Sequence, residues 1–188
     1  IYNFSIRPNA VWHDGQPVTS DDVIFTIELI KNNISFYPAD VKALWDEVEI
    51  RRLDEKTMQF RLPEPFVPFL DYLTFGVLPQ HLLGGIPADQ IANAEFNLSP
   101  VGSGPYQFDH LLVEDGLITG VVLTIFENYH GQEPYIPQMV FRYYPSALAA
   151  LDAYQQGEVM GISQITSDIL DSALLEENLS LYTSRRPE

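Results

Sequence analysis

The chain has 188 residues, of which 46% are hydrophobic and 19% are charged, a composition that is typical of a folded domain and excludes a disordered tail. Its formal net charge of −16 comes from 26 acidic and 10 basic residues, so we expect its surface to repel nucleic acids and anionic lipids. The sequence contains no cysteine, which excludes disulfides and thiol chemistry and is compatible with an exported protein.

The N-terminal segment predicts a strand followed by a tight turn. Hydrophobic residues alternate over residues 1–6, and we expect the strand to resume at Val11 and Trp12. His13-Asp14-Gly15 predicts a turn in which Gly15 takes the left-handed conformation.

A capped helix follows this turn. Thr19 is the predicted N-cap, with its side chain accepting a hydrogen bond from the amide of Asp22. Val23, Ile27 and Ile30 recur at helical spacing and predict one buried stripe, and we expect the helix to end at residues 31–33.

The middle of the chain predicts a hairpin and then short helices broken by prolines. The expected elements are a hairpin from Val48–Leu53 and Thr57–Leu62 with Met58, Phe60 and Leu62 on its inner face, a short helix Phe66–Leu73 with Phe66, Phe69, Leu70 and Leu73 on one side, a second short helix Leu78–Leu83, and a loop over residues 84–99 with one weak helical patch.

The second half of the chain predicts further hairpin and helix elements. They are a hairpin from Tyr106–Val113 and Leu117–Glu127 across Asp115-Gly116, strands Gln138–Tyr144, Val159–Ile162 and Leu179–Thr183, a helix capped by Ser146 and ended by Gly157, and a helix near Asp168–Leu175. The mixture of hairpins and helices predicts an α+β fold.

The loop from Pro100 to Tyr106 combines rigid and flexible positions. Its two prolines fix φ and delete amide donors, whereas Gly102 and Gly104 permit a positive φ or a close backbone approach. We expect Gly102 and Gly104 to be structural and Tyr106 to be packed, so that the loop holds one shape.

The sequence gives little support for a catalytic site or a metal site. His13 and Asp14 are neighbours in a turn and should point apart, and Ser103 lacks the spacing of a hydrolase nucleophile. The four histidines are scattered and show no metal-ligand spacing. We therefore expect no catalytic residue, no metal site and no cofactor.

Paired carboxylates keep a hydrolase open as an alternative. Asp21-Asp22 and Glu176-Glu177 are neighbours in sequence, so their side chains face different directions on a helix. We expect them to be solvated or helix-end groups rather than an acid/base pair.

Ligand contacts are predicted in two uncharged aromatic segments. The candidates are Phe36 and Tyr37 after the first helix, and Tyr72, Thr74 and Phe75 before Gly76. The alternative is that these residues belong to a subdomain core. No Lys or Arg lies between Arg61 and Arg142, so a ligand carboxylate should be bound outside residues 62–141.

Five sequence blocks occur in one order along the chain. They are an extended segment ending at Arg7-Pro8, the turn and cap Trp12–Val23, the loop Pro100–Tyr106, Asn128–Gly131 with Pro134-Tyr135, and Ala150-Leu151 through Gly157-Glu158-Val159. This arrangement resembles the family 5 extracellular solute-binding proteins, the peptide- and nickel-type receptors of bacterial ABC importers. His130 stands where the family usually has Trp, and Met160 where it usually has Asp.

The resemblance implies a two-lobed clamshell of the type II periplasmic-binding-protein class. By that comparison the chain is most of the first lobe, with residues 12–99 as a smaller subdomain and residues 1–11 and 100–188 as the main subdomain. The second lobe would be absent from residues 1–188. Because closure of two lobes removes water from the ligand, a single lobe should bind poorly.

The resemblance also implies a function. We expect a non-enzymatic, monomeric receptor outside the cytoplasm, held to the membrane by a lipid anchor removed from this sequence. It would capture oligopeptides or dipeptides and deliver them to ABC permease subunits. A ligand-sensing domain of a transcriptional regulator is the alternative from a different class.

Overall fold

The computed structural model of the chain describes residues 1–32 and 38–183. The strands are β1 (Tyr2–Ser5), β2 (Glu49–Arg52), β3 (Thr57–Arg61), β4 (Tyr106–Glu114), β5 (Leu117–Ile125) and β6 (Gln138–Arg142). The α-helices are α1 (Ser20–Asn32), α2 (Ala39–Glu47), α3 (Gln80–Leu83), α4 (Ala147–Gln155) and α5 (Leu170–Leu174). Three 3-10 helices lie at Val67–Leu73, Ala88–Asn93 and Glu95–Leu98. Mixed helix and sheet confirm the α+β prediction.

The strands form two three-stranded sheets, ordered β1-β3-β2 and β4-β5-β6. β3 is central in the first sheet and pairs antiparallel with both neighbours, so that Phe60 lies opposite Tyr2 and Ile50. This register places Met58 and Phe60 on the buried face, as the predicted hairpin requires. The hairpin of β4 and β5 is also confirmed, with positive φ at both Asp115 and Gly116.

Two compact units divide the described chain. The first comprises residues 1–110 and 123–139, and the second comprises residues 111–122 and the chain from residue 140 onward. These boundaries differ from the subdomain boundaries expected from the sequence. The subdomains themselves stay a prediction about the first lobe.

An aromatic core fills the first unit. Its buried members are Ile27, Ile30, Trp45, Val48, Met58, Phe60 and Phe69, and rings of Tyr2, Phe4 and Phe75 pack against them. The predicted stripe of α1 is confirmed, because Ile27 and Ile30 are buried and Val23 is partly buried. A smaller core in the second unit is formed by Leu151, Ile169 and Ala173.

The segment at Val67–Leu73 corrects a prediction of helical register. It is a 3-10 helix, in which residues three apart share a face. Phe66, Phe69 and Tyr72 therefore lie together, with the rings of Phe66 and Tyr72 5.8 Å apart and Phe69 fully buried. Leu70, which we expected on the buried side, is 55% exposed.

Other boundaries differ from the predictions. α2 was not anticipated, and residues 84–99 contain two 3-10 helices rather than one weak helical patch. Residues 159–162 and 179–183 are not strands, and Trp12 lies outside any strand, since only Val11 makes an isolated bridge, to Pro17. The helix near residues 168–175 is confirmed in shorter form as α5, and the helix after Ser146 is confirmed as α4.

The two helix-end predictions for α4 are confirmed in detail. The Ser146 Oγ atom accepts a hydrogen bond from the amide of Ala149 at 3.1 Å, and Gly157 has a φ of 75° just beyond the helix. Within the described part of the chain, no helix is long and apolar enough to cross a membrane.

Candidate functional site

Two arrangements of side chains in the first unit are candidates for a functional site. One is a polar network around His13, Asp14 and Asp22, which are the residues that a catalytic interpretation would use. The other is a cavity beside the predicted ligand-contact residues Tyr72, Thr74 and Phe75.

His13 anchors the loop Pro100–Tyr106. Its backbone N–H donates to Gly102 O at 2.8 Å, its Nδ1 atom accepts from the Gly102 N–H at 3.1 Å, and its Nε2 atom lies 3.1 Å from Gly104 O. Because Nδ1 is the acceptor of an N–H group, the proton of the neutral ring sits on Nε2 and is donated to Gly104 O. We call this set of contacts the His13 anchor.

The surroundings of the His13 ring favour this neutral form. The ring contacts Phe126 edge to face at a centroid distance of 4.8 Å. Burial lowers the pKa of His13, and this outweighs the hydrogen bond to Gly104 O and the charge of Asp14, which raise it. Both ring nitrogens are thus occupied by backbone groups, so His13 has a structural role.

Gly102 and Gly104 of the loop differ in how much space surrounds them. A Cβ atom on Gly102 would lie 3.1 Å from the Cε1 atom of His13, so any larger residue there would require the His13 ring to shift by a few tenths of an ångström. At Gly104 a Cβ atom would meet nothing within 4 Å. Neither glycine has a positive φ, whereas Gly15 in the preceding turn does, at 85°, as predicted. Tyr106 is partly buried, and its hydroxyl donates to Ile136 O at 2.8 Å.

Asp14 points away from His13, as predicted. Its Oδ2 atom lies 2.7 Å from the Nε2 atom of His81, and its Oδ1 atom accepts from the Gln16 N–H at 3.1 Å. Burial raises the pKa of Asp14, but the hydrogen bonds from His81 and Gln16 outweigh it, and the pKa is lowered. The neighbouring His and Asp therefore do not form a catalytic pair with each other.

Asp22 lies in the first turn of α1, so it is a helix-end group as expected, but its burial and the direction of the cap at Thr19 differ from the predictions. It is only 3% exposed rather than solvated, and its carboxylate accepts hydrogen bonds from three other residues. The donors are the Trp12 Nε1 group at 3.2 Å, the Thr19 amide at 2.8 Å with the Thr19 hydroxyl at 3.2 Å, and the Gln80 amide at 2.8 Å. The cap at Thr19 thus runs opposite to the expected direction, since Thr19 donates to Asp22.

Thr26, one turn along α1, extends this network. Its hydroxyl donates to Asp22 O at 2.8 Å and accepts from the Leu78 amide at 2.8 Å. Together, Asp22 and Thr26 hold the start of α3 against α1. Because its carboxylate accepts these hydrogen bonds, Asp22 is not a free acid or base. Asp21, by contrast, is only partly buried and pairs with Arg52 at 3.0 Å. Neither carboxylate fits the hydrolase alternative.

A cavity of about 410 Å³ lies beside the aromatic core. It is lined by Ile30, Asp40, Val41, Trp45, Asp71, Tyr72, Thr74 and Phe75, and we call it the aromatic cavity. Its volume falls within the range of small-ligand pockets. The structure thus brings together three predicted ligand-contact residues, Tyr72, Thr74 and Phe75. Phe36 and Tyr37, the other two, lie outside the described residues.

Sequence reasoning did not find Trp45, Asp40 or Asp71. Trp45 is fully buried, and its ring contacts Phe75 edge to face at a centroid distance of 5.7 Å. The signal that could have found it is the helical pattern of α2, where Val41, Leu44 and Trp45 recur at spacings of three and four residues.

A second, larger cavity of about 730 Å³ lies along the two later 3-10 helices. Its lining includes Leu82, Ile86, Phe96 and Val101 together with the side chains of Gln90 and Asn93. No His, Cys, Asp or Glu cluster able to hold a metal ion occurs within residues 1–32 and 38–183.

The two departures from the family pattern have different surroundings. The His130 ring packs on Tyr129 at a centroid distance of 4.6 Å, and its buried Nδ1 atom has no partner among the described residues. Met160 is completely exposed, so its side chain does not take part in packing.

Comparison with known proteins defines the class. The family model of the bacterial extracellular solute-binding proteins, family 5 (middle region), matches residues 1–188. A protein of Brucella ovis, provisionally named as an ABC transporter peptide-binding protein, is 35% identical over 162 residues, which cover 84% of this chain and 29% of that protein. The chain is therefore a part of the solute-binding receptor class.

Solved structures agree with this assignment. The ABC transporter substrate-binding protein CtaP of Listeria monocytogenes is 30% identical, with a TM-score of 0.69 over 84% of this chain and 32% of that one. The oligopeptide-binding protein AppA of Bacillus subtilis is 26% identical over 164 residues, covering 84% of this chain and 29% of AppA. Its crystal structure with a nonapeptide has the same fold, with a TM-score of 0.70 at 24% identity over 84% of this chain and 31% of that one.

The chain belongs to the family 5 extracellular solute-binding proteins. It spans about 29% of the length of the Brucella relative. The resemblance stated from the sequence blocks is confirmed, and so is the type II periplasmic-binding-protein fold.

Proposed function

We propose that this chain forms most of the first lobe of an ABC importer receptor that captures oligopeptides or dipeptides. The observation that carries the proposal is the match of the family model to all of residues 1–188. The names of the relatives from Brucella ovis and Bacillus subtilis, both peptide-binding proteins, support peptides as the solute class.

Within this receptor, the aromatic cavity is the ligand-facing element of the lobe. Tyr72 and Phe75 offer aromatic surface, and the exposed Thr74 offers a hydroxyl. Phe36 and Tyr37 complete the proposed set of contact residues. No Lys or Arg lines the cavity among the described residues, so the ligand carboxylate is bound by another part of the receptor.

The receptor acts by binding and not by catalysis. Its His13 anchor and the Asp22 network hold the lobe in shape, and both use the side chains that a hydrolase would need free. The receptor works outside the cytoplasm as a lipid-anchored monomer and delivers its ligand to permease subunits of the importer.

A thermal-shift screen of the full-length protein tests the solute class. We expect di- to pentapeptides to raise its Tm by several degrees, because a ligand that binds only the folded state stabilises it. A fragment of residues 1–188 should show no shift, since closure of two lobes supplies much of the affinity. A shift with oligosaccharides alone would overturn the proposal.

A pair of variants tests the aromatic cavity in the same protein. Tyr72→Ala should weaken peptide binding about 10-fold, as expected for the loss of a half-buried aromatic contact. Val67→Ala, on the same 3-10 helix and 92% exposed, is the matched control and should bind normally. Equal affinities of the two variants would remove Tyr72 from the binding site.

A further inference from the structure

The two tryptophans of the chain differ in the partner of the indole nitrogen. Both side chains are buried, with Trp12 1% exposed and Trp45 0% exposed. The Trp12 Nε1 group donates to Asp22 Oδ2 at 3.2 Å, whereas the Trp45 Nε1 group has no acceptor among the described residues. A buried donor without an acceptor is costly to the fold and is uncommon in native proteins. The indole N–H of Trp45 is therefore available to an acceptor that these residues do not supply.

Trp45 lies at the wall of the aromatic cavity. Its ring contacts the rings of Phe60, Phe69 and Phe75 at centroid distances of 6.0, 5.9 and 5.7 Å. Phe75 lines the cavity as well, so this contact joins the core to the cavity. A donor whose ring is held on several sides loses little conformational entropy when it binds an acceptor.

The oxygen atoms that line the same cavity do not pair with this N–H. The Thr74 hydroxyl donates to Asp71 O at 2.7 Å and does not accept from Trp45. The carboxylates of Asp40 and Asp71 do not accept from it either, and both residues are exposed. The cavity thus contains a buried donor and lacks the acceptor that would satisfy it.

The charge of the ligand group follows from the same walls. An ammonium or guanidinium group has no acceptor lone pair, so a cation does not pair with Trp45. A carboxylate would meet the like charges of Asp40 and Asp71 in a cavity that no described Lys or Arg lines. An uncharged amide carbonyl accepts the hydrogen bond without either difficulty.

We propose that Trp45 is a ligand-binding residue whose indole N–H donates a hydrogen bond to an uncharged amide carbonyl oxygen of the solute in the aromatic cavity. This inference rests on the proposed function, because it takes the solute to be a peptide. The Nε1 atom is closed to solvent, so binding includes a small movement of a neighbouring side chain such as Phe75. The backbone carbonyl of a peptide and the side-chain carbonyl of a glutamine share this chemistry.

Replacing Trp45 with benzothienylalanine in the full-length protein tests the hydrogen bond, because sulfur takes the place of the N–H group and the ring keeps its shape. The affinity for Ala-Gln-Ala, measured by calorimetric titration, should fall ~5- to 10-fold, the size expected for one buried hydrogen bond. The Tm without peptide should stay the same or rise slightly, because an unpaired buried donor is removed.

The same replacement at Trp12 is the matched control. It should lower the Tm, because the Asp22 carboxylate loses one of its donors. The affinity of the folded protein for Ala-Gln-Ala should not change, since Trp12 does not line the aromatic cavity.

Indole ¹⁵N–¹H NMR of the unmodified full-length protein is a second measurement, which does not depend on the folding of a variant. The Trp45 signal is assigned from the contact of its ring with Phe75. On saturation with Ala-Gln-Ala, the Trp45 N–H proton should move downfield as it gains an acceptor. The Trp12 signal should stay in place, because its N–H group is already bonded to Asp22.

Three peptides identify the carbonyl that binds. They are Ala-Gln-Ala, its analogue with norleucine in place of glutamine, and Ala-Glu-Ala. A loss of affinity that is confined to the glutamine peptide after replacement of Trp45 assigns the side-chain amide, and an equal loss for the norleucine peptide assigns the backbone carbonyl; both outcomes support the proposal. Tighter binding of Ala-Glu-Ala that depends on Trp45 would overturn the uncharged acceptor.

Two further outcomes separate this inference from the receptor function. An unchanged affinity for every peptide after replacement of Trp45, or a Trp45 signal that stays in place at saturation, would overturn the proposal and leave the peptide receptor in place. Failure of every peptide to bind the full-length protein would overturn the proposed function and this inference together.

Discussion

The His13 anchor and the aromatic cavity differ in whether their polar side chains have partners within the protein. In the anchor, both ring nitrogens of His13 are hydrogen-bonded to the loop, and the nearby Asp22 carboxylate accepts from Trp12, Thr19 and Gln80. In the cavity, Asp40 and Asp71 have no ion-pair partner, and Trp45 Nε1 has no acceptor, among the described residues. A buried network whose groups are all paired fixes a shape, whereas exposed carboxylates without a cation stay available to solvent or to a ligand.

The largest predicted effect would break the satisfied network. Asp22→Ala leaves three donor residues without their acceptor in a buried site and should lower the free energy of unfolding by about 3 kcal/mol. Urea denaturation monitored by circular dichroism measures the change. Asp21→Ala, at the partly exposed neighbouring position, should cost less than about 1 kcal/mol. Equal losses for the two variants would show that Asp22 is not the centre of the network.

A smaller effect distinguishes the two glycines of the loop. Gly102→Ala should destabilise the protein by about 1 kcal/mol, because the new Cβ atom would press on the His13 ring. Gly104→Ala meets nothing within 4 Å and should change stability by less than about 0.5 kcal/mol. Urea denaturation of both variants makes the comparison. A larger loss at Gly104 would contradict the close approach of His13 to Gly102.

The smallest effect concerns pH. The ordinary pKa of His13 is 6.5, and burial lowers it in the folded protein. Between these two values the unfolded chain binds more protons, so stability rises with pH there. The stabilisation that neutral His13 gives the folded protein is complete above pH 6.5. It is lost as the pH falls through the lowered pKa of His13 in the folded state. The loss should stay below about 1 kcal/mol, since solvent screens a half-exposed ring.

Urea unfolding at pH 7 and pH 5 measures this dependence. His13→Gln should be less stable at pH 7 but should lose less stability on acidification than the unmodified protein. His110→Gln removes an exposed histidine and is the control. The lowered pKa of Asp14 does not interfere, because its contribution is lost only as the pH falls below its ordinary value of 3.8. Identical pH profiles for the protein and His13→Gln would contradict the neutral-ring assignment.

The predictions from the sequence are correct where local backbone and capping preferences determine the structure. The turn at Gly15, the cap at Ser146 and the Asp115-Gly116 hairpin follow from backbone and capping preferences and are all observed. The predictions are wrong where a residue far along the chain determines the structure. The amide of Gln80 is 58 residues from Asp22, and no local pattern indicates that a residue in the first turn of α1 is buried by it.

The candidate site shows the same division. Tyr72, Thr74 and Phe75 could be chosen from an aromatic segment near a glycine, and they do line one cavity. Their role in binding stays a prediction. Leu70 was placed wrongly because helical spacing of 3.6 residues was applied to a segment that is a 3-10 helix with three residues per turn. Trp45 and Asp40 were missed with the helix that carries them.

The most direct test of the account is calorimetric titration of the full-length protein with a short peptide such as Ala-Lys-Ala, next to an oligosaccharide of similar mass. We predict saturable binding of one peptide per protein, with a Kd of roughly micromolar or tighter, and no heat from the oligosaccharide. Saturable binding of the oligosaccharide with no binding of any peptide would contradict it.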